Sequence, residues 1–159
     1  MSDLDKADDP IFLLNARIQN EPDTLLKYQL YTSLCDTLRA KSDSEQKRAL
    51  SDALTNRAWL GFFLKKFEEM ESDVREGMAL APKNKYLPSK LAPALLLQGK
   101  KDAALAEYKK WMDKPFGEPN FPTYREVFLD DLNTFEKAGI IPPARAADVA
   151  AARKLLAGK

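Results

Sequence analysis

The chain has 159 residues, enough for one ordinary domain that buries about 70 per cent of its unfolded surface without a disulfide or metal staple. Hydrophobic residues at 45 per cent and charged residues at 31 per cent exclude extended disorder and collagen-like repeats, and 25 basic against 24 acidic residues leave a net charge of +1 that draws neither nucleic acid nor an anionic membrane. The absence of histidine removes the usual zinc sites, histidine-dependent triads and the commonest general base, and a single cysteine excludes an internal disulfide. The start, Met1 to Asp9, is acidic where an export signal has a basic start followed by an apolar run, so with Cys35 unpaired a reducing cytoplasm is the expected compartment. The apolar run Leu95-Leu96-Leu97 is far short of the roughly 20 residues of a membrane span.

In chain order, a short helix is predicted after Asp9-Pro10. From Pro22 to Ala40, Leu26, Leu30, Leu34 and Leu38 recur every four residues, the stripe of a helix that must bury one face, with Tyr31 and Cys35 beside it. Ser42 to Glu45 reads as a capping box opening a helix to about Leu64, with Leu50, Leu54, Ala58 and Gly61 along it. Further helices follow at Phe67 to Leu80, stopped before Pro82, and at Tyr86 to Gln98, ended by Gly99. Within the latter, Pro88 suits a first turn and Pro93 predicts a kink or a late start. Lys101 to Met112 is a helix ending in the turn-rich segment Lys114 to Asn120, read as an internal joint. A second capping box, Thr123 to Glu126, opens a helix carrying Tyr124, Phe128, Leu132 and Phe135 on one stripe and closed by Gly139, and Pro142-Pro143 starts an alanine-rich last helix. Strand signals are missing, so the expected class is all-α, with about seven or eight helices joined by short turns.

Superposing the chain on itself at an offset of 34 pairs Ala58 with Ala92, Lys65 with Gly99, Lys66 with Lys100, Met70 with Ala104 and Val74 with Tyr108, the period of a helix hairpin repeat. The second unit, with Leu91, Ala92, Leu95, Gly99, Ala104 and Tyr108, resembles the tetratricopeptide repeat, TPR, and the run Ala58 to Leu64 with Ala79-Leu80-Ala81-Pro82 is similar to divergent bacterial members of that family. Extending the phase backwards gives no match, so the first helices stack by shape or serve as a cap. The resemblance implies a right-handed α-α superhelix, a single TPR-like solenoid over 1–159. Its parts would be N-terminal helices over 1–48, repeat-like hairpins over 49–82 and 83–116, and capping helices over 117–159.

The family usually holds a partner peptide or helix against the first helices of its hairpins. Carried over by position, that wall comprises Asp52, Thr55, Trp59 and Phe62 with Tyr86, Ser89, Pro93 and Leu96. Trp59, Phe62 and Phe63 form an aromatic cluster with two readings: a groove anchor, or core packed against the Pro22 to Ala40 helix. Asparagine-based capture of a partner's terminal carboxylate is not expected, because Thr55, Trp59, Ser89 and Pro93 stand where its groups belong and only Lys90 and Arg57 are nearby cations.

The sequence gives no cause to expect an enzyme or a cofactor. Glu68-Glu69-Glu71 and Asp130-Asp131 are adjacent acids on helices that read as exposed, and no phosphate loop, Cys-x-x-Cys or nucleophile elbow is present. The lysines between Lys83 and Lys114 lack the arginine and aromatic interleaving of a nucleic-acid face. The expected function is a noncatalytic protein-protein interaction scaffold. Two alternatives are a cytoplasmic secretion-type chaperone shielding a client segment and a structural spacer in a larger assembly. The opposed charge of the acidic front and the basic Lys83 to Lys114 stretch admits a homodimer.

Overall fold

The structure, a computed structural model, describes residues 9–41 and 43–158. Among these residues the chain forms eight α-helices: α1 (Pro10–Asn20), α2 (Thr24–Arg39), α3 (Ser44–Phe63), α4 (Phe67–Leu80), α5 (Pro88–Leu97), α6 (Lys101–Trp111), α7 (Tyr124–Lys137) and α8 (Ala146–Ala157). A two-stranded antiparallel hairpin, β1 (Pro115–Glu118) and β2 (Phe121–Thr123), lies between α6 and α7, and a 3-10 turn (Pro143–Arg145) leads into α8. Each helix from α1 to α6 packs on the next, and α7 and α8 pack on each other and back onto α6, with α7 also against α5.

Local chemistry sets the helix starts. Asp9, Asp23 and Asp43 each accept a hydrogen bond at 2.9 Å from a first-turn N–H, of Ile11, Leu26 and Gln46 respectively. Ser42, the expected cap of α3, lies outside the described residues, and Asp43 carries that role. At α7 the Thr123 N–H donates to Glu126 Oε2 at 2.8 Å, the glutamate half of the expected box. Three turns share one geometry: the N–H groups of Lys66, Lys100 and Ile140 return to the carbonyls of Gly61, Leu95 and Phe135 at 2.9, 3.0 and 3.2 Å. The residue before each donor is left-handed, with φ of 58° at Lys65, 87° at Gly99 and 69° at Gly139. Lys65 and Gly99, matched at the sequence offset, therefore hold equivalent backbone positions.

Small residues let paired helices meet. A Cβ on Gly61 would stand 2.7 Å from Met70 Cγ, so α3 and α4 touch there backbone to side chain. Ala58, Met70 and Val74, and their offset partners Ala92, Ala104 and Tyr108, are all buried. One large core runs through α3 to α8, and a second, of Ile18, Leu34, Cys35, Leu38, Leu50, Ala53 and Leu54, joins α1, α2 and α3.

Three expectations are corrected. The buried face of α2 is turned from the leucine stripe: Tyr28 reaches Gly61, Thr32 accepts from Arg57 Nη1 at 3.3 Å, Cys35 is fully buried and Arg39 pairs with Glu76. Only Leu34 and Leu38 of the stripe are buried, against α1 and the first half of α3, while Leu26 is exposed. The chain is not wholly α, because the segment read as a joint contains the β hairpin. Its register passes from Pro115 opposite Thr123 to Glu118 opposite Phe121, so Phe116 and the left-handed Gly117 together face Pro122 in a bulge. Strands of four and three residues are too short for an alternation signal, and buried Phe116, edge-on to Tyr86 and Tyr124, holds the hairpin to the core. Finally, α5 starts at Pro88 and continues through Pro93, with no late start.

Candidate functional site: a groove centred on Asp52

Three cavities meet at Asp52. One, of about 440 Å³, is lined by Thr55, Asn56 and Trp59 of α3, Asn84 and Tyr86 of the loop before α5, and Lys90 of α5. A second, of about 240 Å³, shares Asp52 and Asn56 and extends to Ile11, Tyr31, Leu34 and Leu38 of the first two helices. A third, of about 390 Å³, shares Asp52, Asn84 and Tyr86 and opens toward Arg48, Lys83 and Lys85. Positions 52, 55, 56 and 59 are one helical stripe at i, i+3, i+4 and i+7, so the spacing of α3 alone aims these side chains into one trough.

The walls are braced. Asn84 Nδ2 donates to Ser51 Oγ and Thr55 Oγ1, both at 3.2 Å, and its Oδ1 accepts the Tyr86 N–H at 3.1 Å, which ties the α4–α5 loop to α3. Ser51 in turn donates to the Gly77 carbonyl at 3.2 Å. Tyr86 is 47% exposed, yet its hydroxyl meets Glu118 at 3.1 Å and its ring lies 5.6 Å from Phe116, so the β hairpin positions this wall. Lys85 pairs with the same Glu118 at 2.9 Å.

Of the sequence-predicted wall, Asp52, Thr55, Trp59 and Tyr86 line the first cavity together. Phe62, Ser89, Pro93 and Leu96 do not: all four are buried. Phe62 is covered by α7, whose Phe135 stacks on it with centroids 4.3 Å apart and lies 5.6 Å from the half-buried Trp59. The aromatic cluster thus packs against α7, where the sequence suggested the Pro22 to Ala40 helix. Arg57, expected near the wall, turns away to make a bidentate pair with Asp73 at 2.6 and 2.8 Å. Sequence reasoning missed Asn56, which the helical stripe could have supplied, and Asn84, which sits in a loop without periodicity.

Lys90 forms the floor. Its ammonium lies 5.6 Å from the Trp59 ring and donates one long bond, 3.4 Å, to the Tyr86 carbonyl. Desolvation lowers its pKa, opposed by the charge of Asp131. Asp131 of α7 is buried, which pushes its carboxyl up to about 7; Lys90 pulls it down and Asp130 adds to the rise. The two adjacent acids are therefore unlike, Asp130 being exposed, and the reading of this pair as an exposed helix face is corrected. Nearby, the buried Tyr108 hydroxyl has no hydrogen-bond partner among the described residues, and burial raises its pKa.

The other acidic cluster is structural at Glu71. Burial alone would raise its pKa, but bonds from Lys100, Arg75 and Gln98 at 2.7 to 2.9 Å outweigh this and hold it at about 2. Among the described residues no helix is long and apolar enough to cross a membrane, and no group of three or more His, Cys, Asp or Glu is placed to hold a metal ion. Cys35 is buried, and desolvation pushes its thiol up to about 11. The chain matches no known family model, no curated protein and no solved structure.

Proposed function

We propose that this chain is a noncatalytic docking module, a short TPR-like right-handed stack of helix hairpins that holds a segment of a partner protein in the groove centred on Asp52. The observation that carries the reading is the meeting of three cavities at one residue, which makes a trough long enough for several residues of an extended or helical segment. The equivalent left-handed turns at Lys65 and Gly99, 34 positions apart, support the stacked-hairpin part of the reading. Trp59 and Tyr86 supply rigid aromatic contact on either side, the residue type that dominates docking energetics.

The test is selection of dodecapeptides from a random displayed library by the full chain, followed by binding to an Asn56→Trp variant. A bulky uncharged side chain at this exposed position of α3 fills the trough without touching the core. The reading predicts binders that lose at least about tenfold in affinity on the variant; an absence of binders, or binders indifferent to the substitution, overturns it.

A second reading is favoured by the exposed Phe12, Leu13, Leu25 and Leu26 on the first two helices, an apolar patch suited to self-association. Sedimentation velocity of the wild type and a Leu26→Glu variant tests it, with a dimer converted to monomer as the expected result.

A further inference from the structure

Resting on that docking reading, we infer that the occupant of the groove is an internal acidic segment carrying aromatic or leucine side chains, one of its carboxylates received by Lys90 beside Trp59. Charge complementarity carries the inference. Arg48 and Lys83 at one arm and Lys90 in another make no ion pair among the described residues, whereas Lys85 is already neutralised by Glu118. The acid facing the trough is Asp52, at the junction, where a carboxylate can accept a backbone N–H from a bound segment.

Lys90 is the most specific of these groups. An ammonium has three donors, and here one long bond to the Tyr86 carbonyl is the only hydrogen bond it makes to described residues. Asp131 faces it from α7, yet the two are not within ion-pair distance, and burial keeps that carboxyl poised between its charged and neutral forms near neutral pH. A half-buried ammonium packed beside the Trp59 ring attracts an anion more strongly than a fully solvated one does, because the dielectric around it is lower. Trp59 and Tyr86 then take the neighbouring apolar side chains.

The segment is internal because the free cations occupy two separate arms that share Asp52. A single terminal carboxylate reaches one of them, while a run of acidic side chains reaches both.

The experiment uses the same displayed library, in which every carboxyl end is fused to the carrier, and then synthetic peptides of the selected sequences with amidated ends. The expected outcome is enrichment of Asp and Glu beside Trp, Phe, Tyr or Leu. Exchange of the acids for their amides should weaken binding about tenfold or more, and raised salt should weaken it too. On Lys90→Gln the acidic preference should shrink to the fewfold that Arg48 and Lys83 supply, while Lys90→Arg keeps it whole. Arg48→Gln with Lys83→Gln, a surface pair remote from the core, should cost a further fewfold.

Neutral or basic selected sequences that Asn56→Trp still blocks would overturn this inference and leave the docking reading standing. The acidic occupant is equally overturned if Lys90→Gln retains the full acidic preference. Selection of no binder at all sinks both.

Discussion

The ring of Phe62 on α3 lies nearly parallel to that of Phe135 on α7, centroids 4.3 Å and planes 26° apart. This contact bounds the groove at one end, since it turns Phe62 into core and leaves Trp59 half-buried beside it. Phe135→Ala removes a fully buried ring and should lower stability by about 3 to 5 kcal/mol. Urea unfolding followed by far-UV circular dichroism gives the value; a loss below about 1 kcal/mol contradicts the assignment.

Arg57 and Asp73 join α3 to α4, and Arg57 also reaches Thr32 of α2, so one guanidinium links three helices. Their side chains are only 12% and 6% exposed. Asp73→Ala strands a buried cation and should cost about 3 to 5 kcal/mol, while the double replacement Arg57→Met with Asp73→Leu should cost far less, because both charges leave together. A double-mutant cycle in urea resolves the two, and additive losses would refute the pair's coupling.

Stability should depend on Asp131 between about pH 4 and 7. Burial raises its folded pKa to about 7, above the roughly 3.9 of an unfolded aspartate. In that window the folded chain keeps a proton that the unfolded chain has released, so stability present at low pH is lost as pH rises through 7. Asp131→Asn, which cannot ionise, should therefore gain on the wild type from pH 5 to pH 8, by no more than about 3 kcal/mol. An equal difference between the two proteins at both pH values would count against a buried Asp131.

The turn residues Lys65 and Gly99 make opposite predictions at equivalent positions. Lys65 holds a left-handed φ of 58° with a side chain present, so Lys65→Gly should stabilise by up to about 1 kcal/mol. Gly99→Ala should destabilise by about 1 to 2 kcal/mol, since its φ of 87° disfavours any side chain and the new Cβ would stand 2.5 Å from Arg145 Nη1. Thermal midpoints of both variants suffice, and shifts of the same sign would contradict the shared turn geometry.

Much of this fold was legible because its signals are local. Phe67–Leu80 matches its apolar spacing and the stop before Pro82, and Gly99 and Gly139 close the helices they were expected to close. Asp52, Thr55 and Trp59 share a cavity because a helix repeats its face every three to four residues. What escaped was nonlocal. Ser89, Pro93 and Leu96 are buried by packing that no pattern within α5 announces, and Tyr86 is braced by a hairpin of seven strand residues. Asp131 looks like a surface acid until α5 and α6 pack against it.

Hydrogen exchange on the full chain, with and without a selected acidic peptide, tests the central claim most directly. Added protection should fall on the backbone of α3 near Asp52 to Trp59 and on the segment from Asn84 to Lys90. Protection confined instead to the first turns of α1 and α2, around Phe12 and Leu26, would place the docking surface on the exposed apolar patch and contradict the proposed groove.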